Sequence, residues 1–199
     1  MYVREAKNRE EVWLLDHLEM LGLEDPAFRS RDYVVAIDEA SNEKAGFGRI
    51  RIHPGEPEVC ELTAIGVLPG WREQGVGAHV VERLVDHASD AGFDAVFVVT
   101  DQVEYFTQFG FDPTDASELP EPIRERLEAR READADAIGL RIDVAAFEMP
   151  ERHRESFKMA DERLEPDVED EADDDELDEL VEEFGIDPDE ATYKYDTGR

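Results

Sequence analysis

A glycine-containing turn is the segment of this sequence best suited to bind a ligand. The run R-E-Q-G-V-G at residues 72–77 separates an apolar stretch that ends near Val67 from a stretch with helical periodicity. Glycines let successive backbone N–H groups point at one spot, and the start of a helix adds about half a positive charge there. Arg72 supplies a further positive charge. These features predict a site for a phosphate or pyrophosphate group.

Two familiar phosphate-binding loops fit this turn poorly. A Walker A loop needs a lysine and a hydroxyl residue after its last glycine, and neither follows Gly75 or Gly77. A Rossmann loop needs a third glycine, where this chain has Val80, and it belongs to the first βαβ unit of a sheet. Asp101 would be the ribose-binding acid in that interpretation. From the glycines alone, dinucleotide binding and a turn that merely starts a helix both stay open.

The hydrophobic pattern alternates between strand and helix periods and predicts an α/β fold. A capping-box-like N-R-E-E at residues 8–11 opens a helix whose apolar face would hold Val12, Leu15, Leu18 and Leu21. Antiparallel strands precede the glycine turn, and a βαβ unit contains it. We expect strands at 2–7, 33–37, 46–52, 59–67, 95–100 and 140–149, and further helices at 75–90, 103–109 and 123–131.

The charge of the chain excludes several classes of function. The 53 acidic and 21 basic residues give a formal charge of −32, which repels nucleic acid and anionic membranes. The basic residues comprise only 4 lysines against 17 arginines, and a dense acidic coat with little lysine predicts a salt-in, haloarchaeon-like halophile. The N-terminal residues resemble neither a signal peptide nor a membrane span, so we expect a cytoplasmic protein.

The last fifth of the chain differs in composition from the rest. Residues 161–199 hold 19 acidic and 3 basic residues. We therefore expect a domain over residues 1–150 and a largely flexible acidic extension over 151–199. A short amphipathic helix near 174–184, which carries Leu177, Leu180, Val181 and Phe184, would dock either on its own domain or on a protein partner.

The sequence predicts neither a disulfide nor a metal site. Cys60 is the only cysteine, and His53, His79 and His87 share no metal-ligand spacing. Cys60 is also a poor candidate for a nucleophile, because no histidine is placed by the sequence to activate it.

Two motifs in the right order resemble the GNAT family of N-acetyltransferases. The family's coenzyme motif [RQ]-x-x-G-x-[GA] matches residues 72–77, although Glu73 stands where the family often has glycine. The run E-Y-F-T-Q-F-G-F at 104–111 is similar to the family's F-Y-x-x-x-G-F. The resemblance covers residues 1–150 and implies the GNAT fold, a mixed central sheet with flanking helices. Within the family, the chain most resembles the branch that acetylates amino acids and includes the arsenic-resistance acetyltransferases.

The resemblance implies an acetyl-CoA site between two splayed parallel strands. The backbone of Val67 and Leu68 would pair with the pantetheine arm, and the thioester would lie at a bulge over residues 65–67. Phe106, in the second motif, would also contact the coenzyme. The pyrophosphate would be held by the turn and the residue after it, namely Arg72, Glu73, Gln74, Gly75, Val76, Gly77 and Ala78.

The resemblance also implies direct attack by an amine, which needs a proton acceptor and a proton donor. Glu61 is the candidate base, because strand alternation would place it on one face with Thr63, Ile65 and Val67. The alternative is an exposed acidic residue or one that binds substrate charge. Phe106 stands where the family commonly has the tyrosine that acts as the general acid, so neighbouring Tyr105 is the candidate acid. Otherwise Tyr105 packs in the fold and the thiolate leaves unassisted.

These inferences predict an N-acetyltransferase that moves an acetyl group from acetyl-CoA to a primary amine. We expect this amine to belong to a small molecule such as an amino acid. The alternative is a non-catalytic, acetyl-CoA-binding regulatory or interaction protein. Neither nucleic acid nor a membrane is expected as a partner, and a homodimer and a monomer both stay open.

Overall fold

The computed structural model describes residues 1–162 apart from residues 24 and 26. Within that part of the chain, seven strands form one sheet and five α-helices flank it. In chain order, the elements are β1 (Tyr2–Glu5), α1 (Glu11–Met20), β2 (Tyr33–Ile37), β3 (Lys44–His53), β4 (Val59–Val67), α2 (Val76–Asp90), β5 (Ala95–Thr100), α3 (Val103–Thr107), β6 (Asp112–Pro113), α4 (Glu121–Ala133), β7 (Ile138–Asp143) and α5 (Glu151–Glu162).

The sheet is mixed and has the strand order β1-β2-β3-β4-β5-β7-β6. β1 to β4 form an antiparallel meander, β4 and β5 are parallel, and β7 is antiparallel to both of its neighbours. Because α2 connects the only parallel pair of the described sheet, β4, α2 and β5 form the predicted βαβ unit. The predicted fold class, with antiparallel N-terminal strands before this unit, is confirmed.

The helices cover both faces of the sheet. Along β2, Val34 and Ala36 belong to the apolar cluster beneath α2, whereas Val35 and Ile37 pack with α1 on the other face. α4 lies on the same face as α1, since its buried residue Ile123 packs with side chains of β4 and β5 that point away from α2. The glycine turn therefore starts the helix on one face, and α4 approaches from the opposite face.

Two predicted elements differ in detail from the structure. α1 buries Leu14 and Leu18, whereas Val12 and Leu15 are exposed, so the predicted apolar face is wrong by part of a turn. The two buried leucines are four residues apart and therefore lie on one side of the helix. β7 ends at Asp143, before the predicted end at residue 149, because residues 144–146 form a 3₁₀ turn.

The sequence pattern did not predict α5. Its Phe157 is buried and stacks on His79 of α2 with the ring centroids 3.9 Å apart, and its Arg154 pairs with Glu82 at 2.8 Å. α5 is thus part of the described fold, although it follows residue 150.

The extension predicted over 151–199 and its helix near 174–184 stay predictions, and residues 163–199 lie outside the described part of the chain. No helix of the described residues is long and apolar enough to cross a bilayer.

Candidate active site

A cavity lies where β4 and β5 separate. The two strands pair only over residues 60–62 of β4 and 96–98 of β5. Beyond this point, residues 62–67 of β4 and 98–102 on and after β5 line a cavity of about 950 Å³. Separated strands expose backbone N–H and C=O groups along their facing edges, and an extended ligand can bind to such an edge as an added strand. The predicted site between two splayed parallel strands is therefore present as a cleft.

A β-bulge interrupts β4 at the cavity. Thr63 pairs with Arg49 and Gly66 pairs with Phe47, so β4 has one more residue than β3 between these two pairs. Ala64, inside the bulge, has φ of +50°, which an L-residue rarely adopts. The bulge thus begins one residue before the predicted 65–67 segment. It turns peptide groups out of the sheet ladder beside the cavity, where they can donate to a ligand oxygen.

The bulge reverses the side-chain alternation that the sequence analysis assumed. Ile65 and Val67 pack with the cluster beneath α2, whereas Glu61 points to the opposite face and contacts α4. The prediction that Glu61 shares a face with Ile65 and Val67 is therefore wrong. The physical reason is that one extra residue shifts every following side chain to the other face of the strand.

The glycine turn presents the N–H groups of the first turn of α2 to the cavity. Gly75 has φ of +77° and caps the N-terminus of α2 without a side chain. The first N–H groups of a helix have no intrahelical acceptor, so those of Val76, Gly77 and Ala78 remain for an anionic ligand. The predicted pyrophosphate contacts that line the cavity are Arg72, Glu73, Gly75, Val76, Gly77 and Ala78.

Two predicted coenzyme contacts are absent from the cavity lining. The backbone N–H of Leu68 donates to the carbonyl of Ala45 at 2.9 Å, and the side-chain amide of Gln74 donates to the carbonyl of Gly70 at 2.9 Å. Both groups thus hold the shape of the turn. Val67, the other predicted pantetheine contact, does line the cavity.

Glu73 adopts a strained backbone conformation in the turn. Its φ of +62° lies in the left-handed region, where glycine is favoured. This geometry gives a physical reason for the glycine that the GNAT motif often has at this position. The carboxylate of Glu73 also places a negative charge in the cavity lining.

Tyr105 and Phe106, the two aromatic residues predicted on α3, both line the cavity. The hydroxyl of Tyr105 packs closely against Gly77, and Phe106 is buried in the main apolar cluster. Burial raises the pKa of the Tyr105 hydroxyl above its usual value, so the phenol stays protonated throughout the neutral range. Tyr105 can therefore donate a proton or a hydrogen bond to a group in the cavity.

Glu61 does not line the cavity. Its side chain is only 1% exposed, and its two oxygens accept hydrogen bonds from His53 Nε2 at 2.8 Å and Arg126 Nε at 3.4 Å. Arg126 does line the cavity. The structure thus places a buried carboxylate behind a cavity-lining guanidinium, and the base role predicted for Glu61 stays a prediction.

Cys60 is buried, and His53 and His79 contact neighbouring side chains of the fold. Burial raises the pKa of the Cys60 thiol to about 12, which leaves no useful thiolate at neutral pH. His53 pairs with Glu61, and His79 stacks on Phe157. Among the described residues, no group of three or more His, Cys, Asp or Glu side chains could hold a metal ion.

Two arginines and a histidine line the cavity without having been predicted from the sequence, namely Arg126 and Arg130 of α4 and His153 of α5. The i, i+4 spacing of the two arginines was a usable signal, because it places both on one side of a helix. His153 gave no comparable signal. Its proximity to the turn, where its carbonyl lies against Gly75, follows from the packing of α5.

Residues 2–111, more than half of the 199-residue chain, match the acetyltransferase (GNAT) family. The chain belongs to this family. An acetyl-CoA-dependent acyltransferase is the enzyme class that the sequence predicted, and both class and coenzyme agree with GNAT membership.

Named GNAT relatives are similar over part of their length. Mycothiol acetyltransferase from Thermobifida fusca is 30% identical over 101 residues, which cover 45% of this chain and 31% of that protein. Amino-acid acetyltransferase from Enterobacter sp. strain 638 is 30% identical over 77 residues, or 38% of this chain and 17% of that protein. The chain thus spans less than a third of the length of these relatives.

A solved structure shares the GNAT fold. N-acetylglutamate synthase from Neisseria gonorrhoeae, in complex with coenzyme A and N-acetyl-glutamate, superposes with a TM-score of 0.57. The match covers 71% of this chain and 34% of that one at 19% identity. At this identity the similarity supports the fold alone.

Proposed function

We propose that this protein is an N-acetyltransferase that moves the acetyl group of acetyl-CoA to a primary amine of a small molecule such as an amino acid. The observation that carries the proposal is the glycine turn at the start of α2, which opens onto the cleft between β4 and β5. Two relatives, named mycothiol acetyltransferase and amino-acid acetyltransferase, support a small acceptor.

The proposed reaction is a direct transfer. The neutral amine nitrogen attacks the thioester carbon, a C–N bond forms, and the C–S bond breaks. Backbone N–H groups at the bulge around Ala64 are the proposed donors to the oxygen that becomes negative. The attacking nitrogen loses one proton to a base, and the departing thiolate gains one from an acid.

Each of these proton transfers has a candidate residue. Tyr105 is the proposed acid, because its protonated hydroxyl lies in the cavity beside the coenzyme turn. Glu61 is the base that the sequence predicts. It does not line the cavity, so a proton from the amine would have to reach it through the side chains that contact it, Arg126 and His53.

A second function is a non-catalytic acetyl-CoA-binding protein. This function is favoured by the presence of Phe106 at the position where the family commonly has the tyrosine that acts as the general acid. One experiment separates the two functions. The protein is incubated with acetyl-CoA and a panel of amino acids, polyamines and peptides, and free thiol and acetylated product are measured by absorbance and mass spectrometry. Acetyl-CoA binding without thiol release for any amine would favour the second function.

We also propose that the protein works in the cytoplasm of a salt-in halophile. The acidic excess supports this, because residues 1–160 alone hold 34 acidic and 18 basic residues. The acidity is thus not confined to the C-terminal extension.

A further inference from the structure

One side of α4 faces the cavity and carries two arginines. Arg126, Ala129, Arg130 and Ala133 all line the cavity, and their i, i+3, i+4, i+7 spacing places them on one side of the helix. The two alanines are small, so they leave space beside the two guanidinium groups. This side of α4 is suited to hold a ligand between its arginines.

Arg126 is held at the cavity by a buried carboxylate. Glu61 is 1% exposed and Arg126 is 31% exposed, so the pair runs from the protein interior to the cavity. The hydrogen bond to Glu61 uses Nε of Arg126, and His53 donates to the other Glu61 oxygen. Among the contacts of the described residues, the Nη1 and Nη2 edge of Arg126 remains for a ligand. Two parallel N–H donors on that edge match the two oxygens of a carboxylate.

The coenzyme phosphates are poor partners for these arginines. The coenzyme turn starts α2 on one face of the sheet, whereas Arg126 and Arg130 reach the cavity from α4 on the other face. The turn has its own cation, Arg72, as well as the N-terminus of α2. Arg130 also pairs with Asp134 at 3.6 Å, so it has a carboxylate partner within the fold. The outer edge of Arg126 has no such partner among the described contacts, so Arg126 is the cation best placed to hold a second anionic group there.

We propose that the acceptor is an amine that also carries a carboxylate, and that Arg126, with Arg130 beside it, binds this carboxylate. The inference rests on the proposed acetyl transfer and names the class of its acceptor. In this account Glu61 positions Arg126 in place of acting as the base, since its buried carboxylate fixes the guanidinium of Arg126. His53 in turn orients Glu61 through the bond at 2.8 Å.

Binding experiments test the carboxylate site without requiring catalysis. L-Amino acids and their α-amides are titrated into the full-length protein loaded with coenzyme A, and affinities are measured by calorimetry. We expect at least one amino acid to bind more tightly than its amide. Arg126→Gln should lower the affinity for the amino acid about 10- to 100-fold, because it removes a charge-assisted pair of hydrogen bonds. The affinity for the amide should not change. Arg126→Lys should retain part of the affinity, since the charge remains and the planar fork is lost.

Arg124→Gln is the matched control. Arg124 is on the same helix and is absent from the cavity lining, so its substitution changes the net charge equally without touching the site. We expect it to leave the affinities for the acid and the amide unchanged.

Glu61→Gln separates positioning from proton transfer. If Glu61 positions Arg126, the Glu61→Gln variant should have a higher KM for the acid and a nearly unchanged kcat at every pH. Its kinetic constants for the amide should not change. As a base, it predicts that kcat falls for both acceptors and that the loss shrinks as the pH rises. The second result would overturn the positioning role.

The outcomes also distinguish this inference from the proposed function. Equal binding of every acid and its amide, or an Arg126→Gln variant that weakens both alike, overturns the carboxylate site even if acetyl transfer occurs. If acids bind through Arg126 but no amine is acetylated, the carboxylate site stands and the acetyltransferase proposal fails.

Discussion

The hydroxyl oxygen of Tyr105 lies 2.6 Å from the position that a Cβ atom would take on Gly77. Real Cβ atoms do not approach an oxygen this closely, so only glycine fits beneath the phenol without displacing it. Gly77 therefore has two roles in this cleft. It brings a backbone N–H group to the coenzyme site, and it gives space to the proposed acid.

Substitution of Gly77 should affect the coenzyme site directly. Gly77→Ala forces Tyr105 to move, and we expect a loss of about 1–3 kcal/mol in the free energy of unfolding together with weaker acetyl-CoA binding. Gly77→Asp adds a negative charge beside the pyrophosphate and should abolish binding in calorimetry. Gly70→Ala, in the same turn with no atom within 4 Å of the added Cβ, is the control and should bind normally. Wild-type affinity in Gly77→Asp would remove the acetyl-CoA site from this turn.

Substitution of Glu73 by glycine should increase both the stability of the protein and its affinity for acetyl-CoA. Glu73→Gly relieves the strain of a φ of +62° and removes a negative charge near the coenzyme phosphates. We expect the free energy of unfolding to rise by up to about 1 kcal/mol, measured by urea denaturation, and acetyl-CoA to bind more tightly. Glu73→Gln removes the charge and keeps the strain, so it should improve binding without the gain in stability. Lower stability of the glycine variant would contradict this account.

Tyr105→Phe tests the proposed acid while it preserves the ring. Loss of the proton donor should lower kcat by roughly 10²- to 10⁴-fold and leave acetyl-CoA affinity nearly unchanged. Because burial raises the pKa of Tyr105, the wild-type enzyme should show no loss of kcat from tyrosine ionisation up to about pH 10. An unchanged kcat in Tyr105→Phe would mean that the thiolate leaves unassisted.

Two truncations should behave differently. Deletion of residues 163–199 should leave folding and acetyl-CoA binding intact, because 17 of these 37 residues are acidic and the segment offers little apolar surface to bury. Deletion of residues 151–199 also removes Phe157, exposing His79 and the turn around Gly75. We expect this shorter chain to lose about 1.5–3 kcal/mol from Phe157 alone and to bind the coenzyme poorly. Equal melting temperatures for the two truncated proteins would show that α5 contributes nothing.

Salt should stabilise the protein. At 0.1 M salt the Debye length is about 10 Å, so the acidic residues of a chain with a charge of −32 repel one another, and at 1 M it falls to about 3 Å. We therefore expect the melting temperature to rise steeply with KCl concentration. A melting temperature that is independent of KCl would contradict the halophile proposal, and a variant with neutralised surface acids should need less salt.

The sequence by itself determined the family, the order of elements and the coenzyme turn. These depend on local patterns, since strand and helix periods, the glycines at 75 and 77, and the aromatic run at 104–111 are each contained in a short window. The same local information explains why Tyr105 was identified beside Phe106. The charge-derived inferences about nucleic acid and salt likewise need only composition.

The tertiary structure decided which side chains reach the cavity. A single extra residue at Ala64 turned Ile65 and Val67 away from the face of Glu61, and no periodicity reveals whether a strand contains a bulge. The meeting of Glu61 with Arg126, 65 residues later in the chain, depends on how α4 packs over the sheet. Such long-range contacts follow from the packing of whole elements, so the pattern around either residue alone could not predict them.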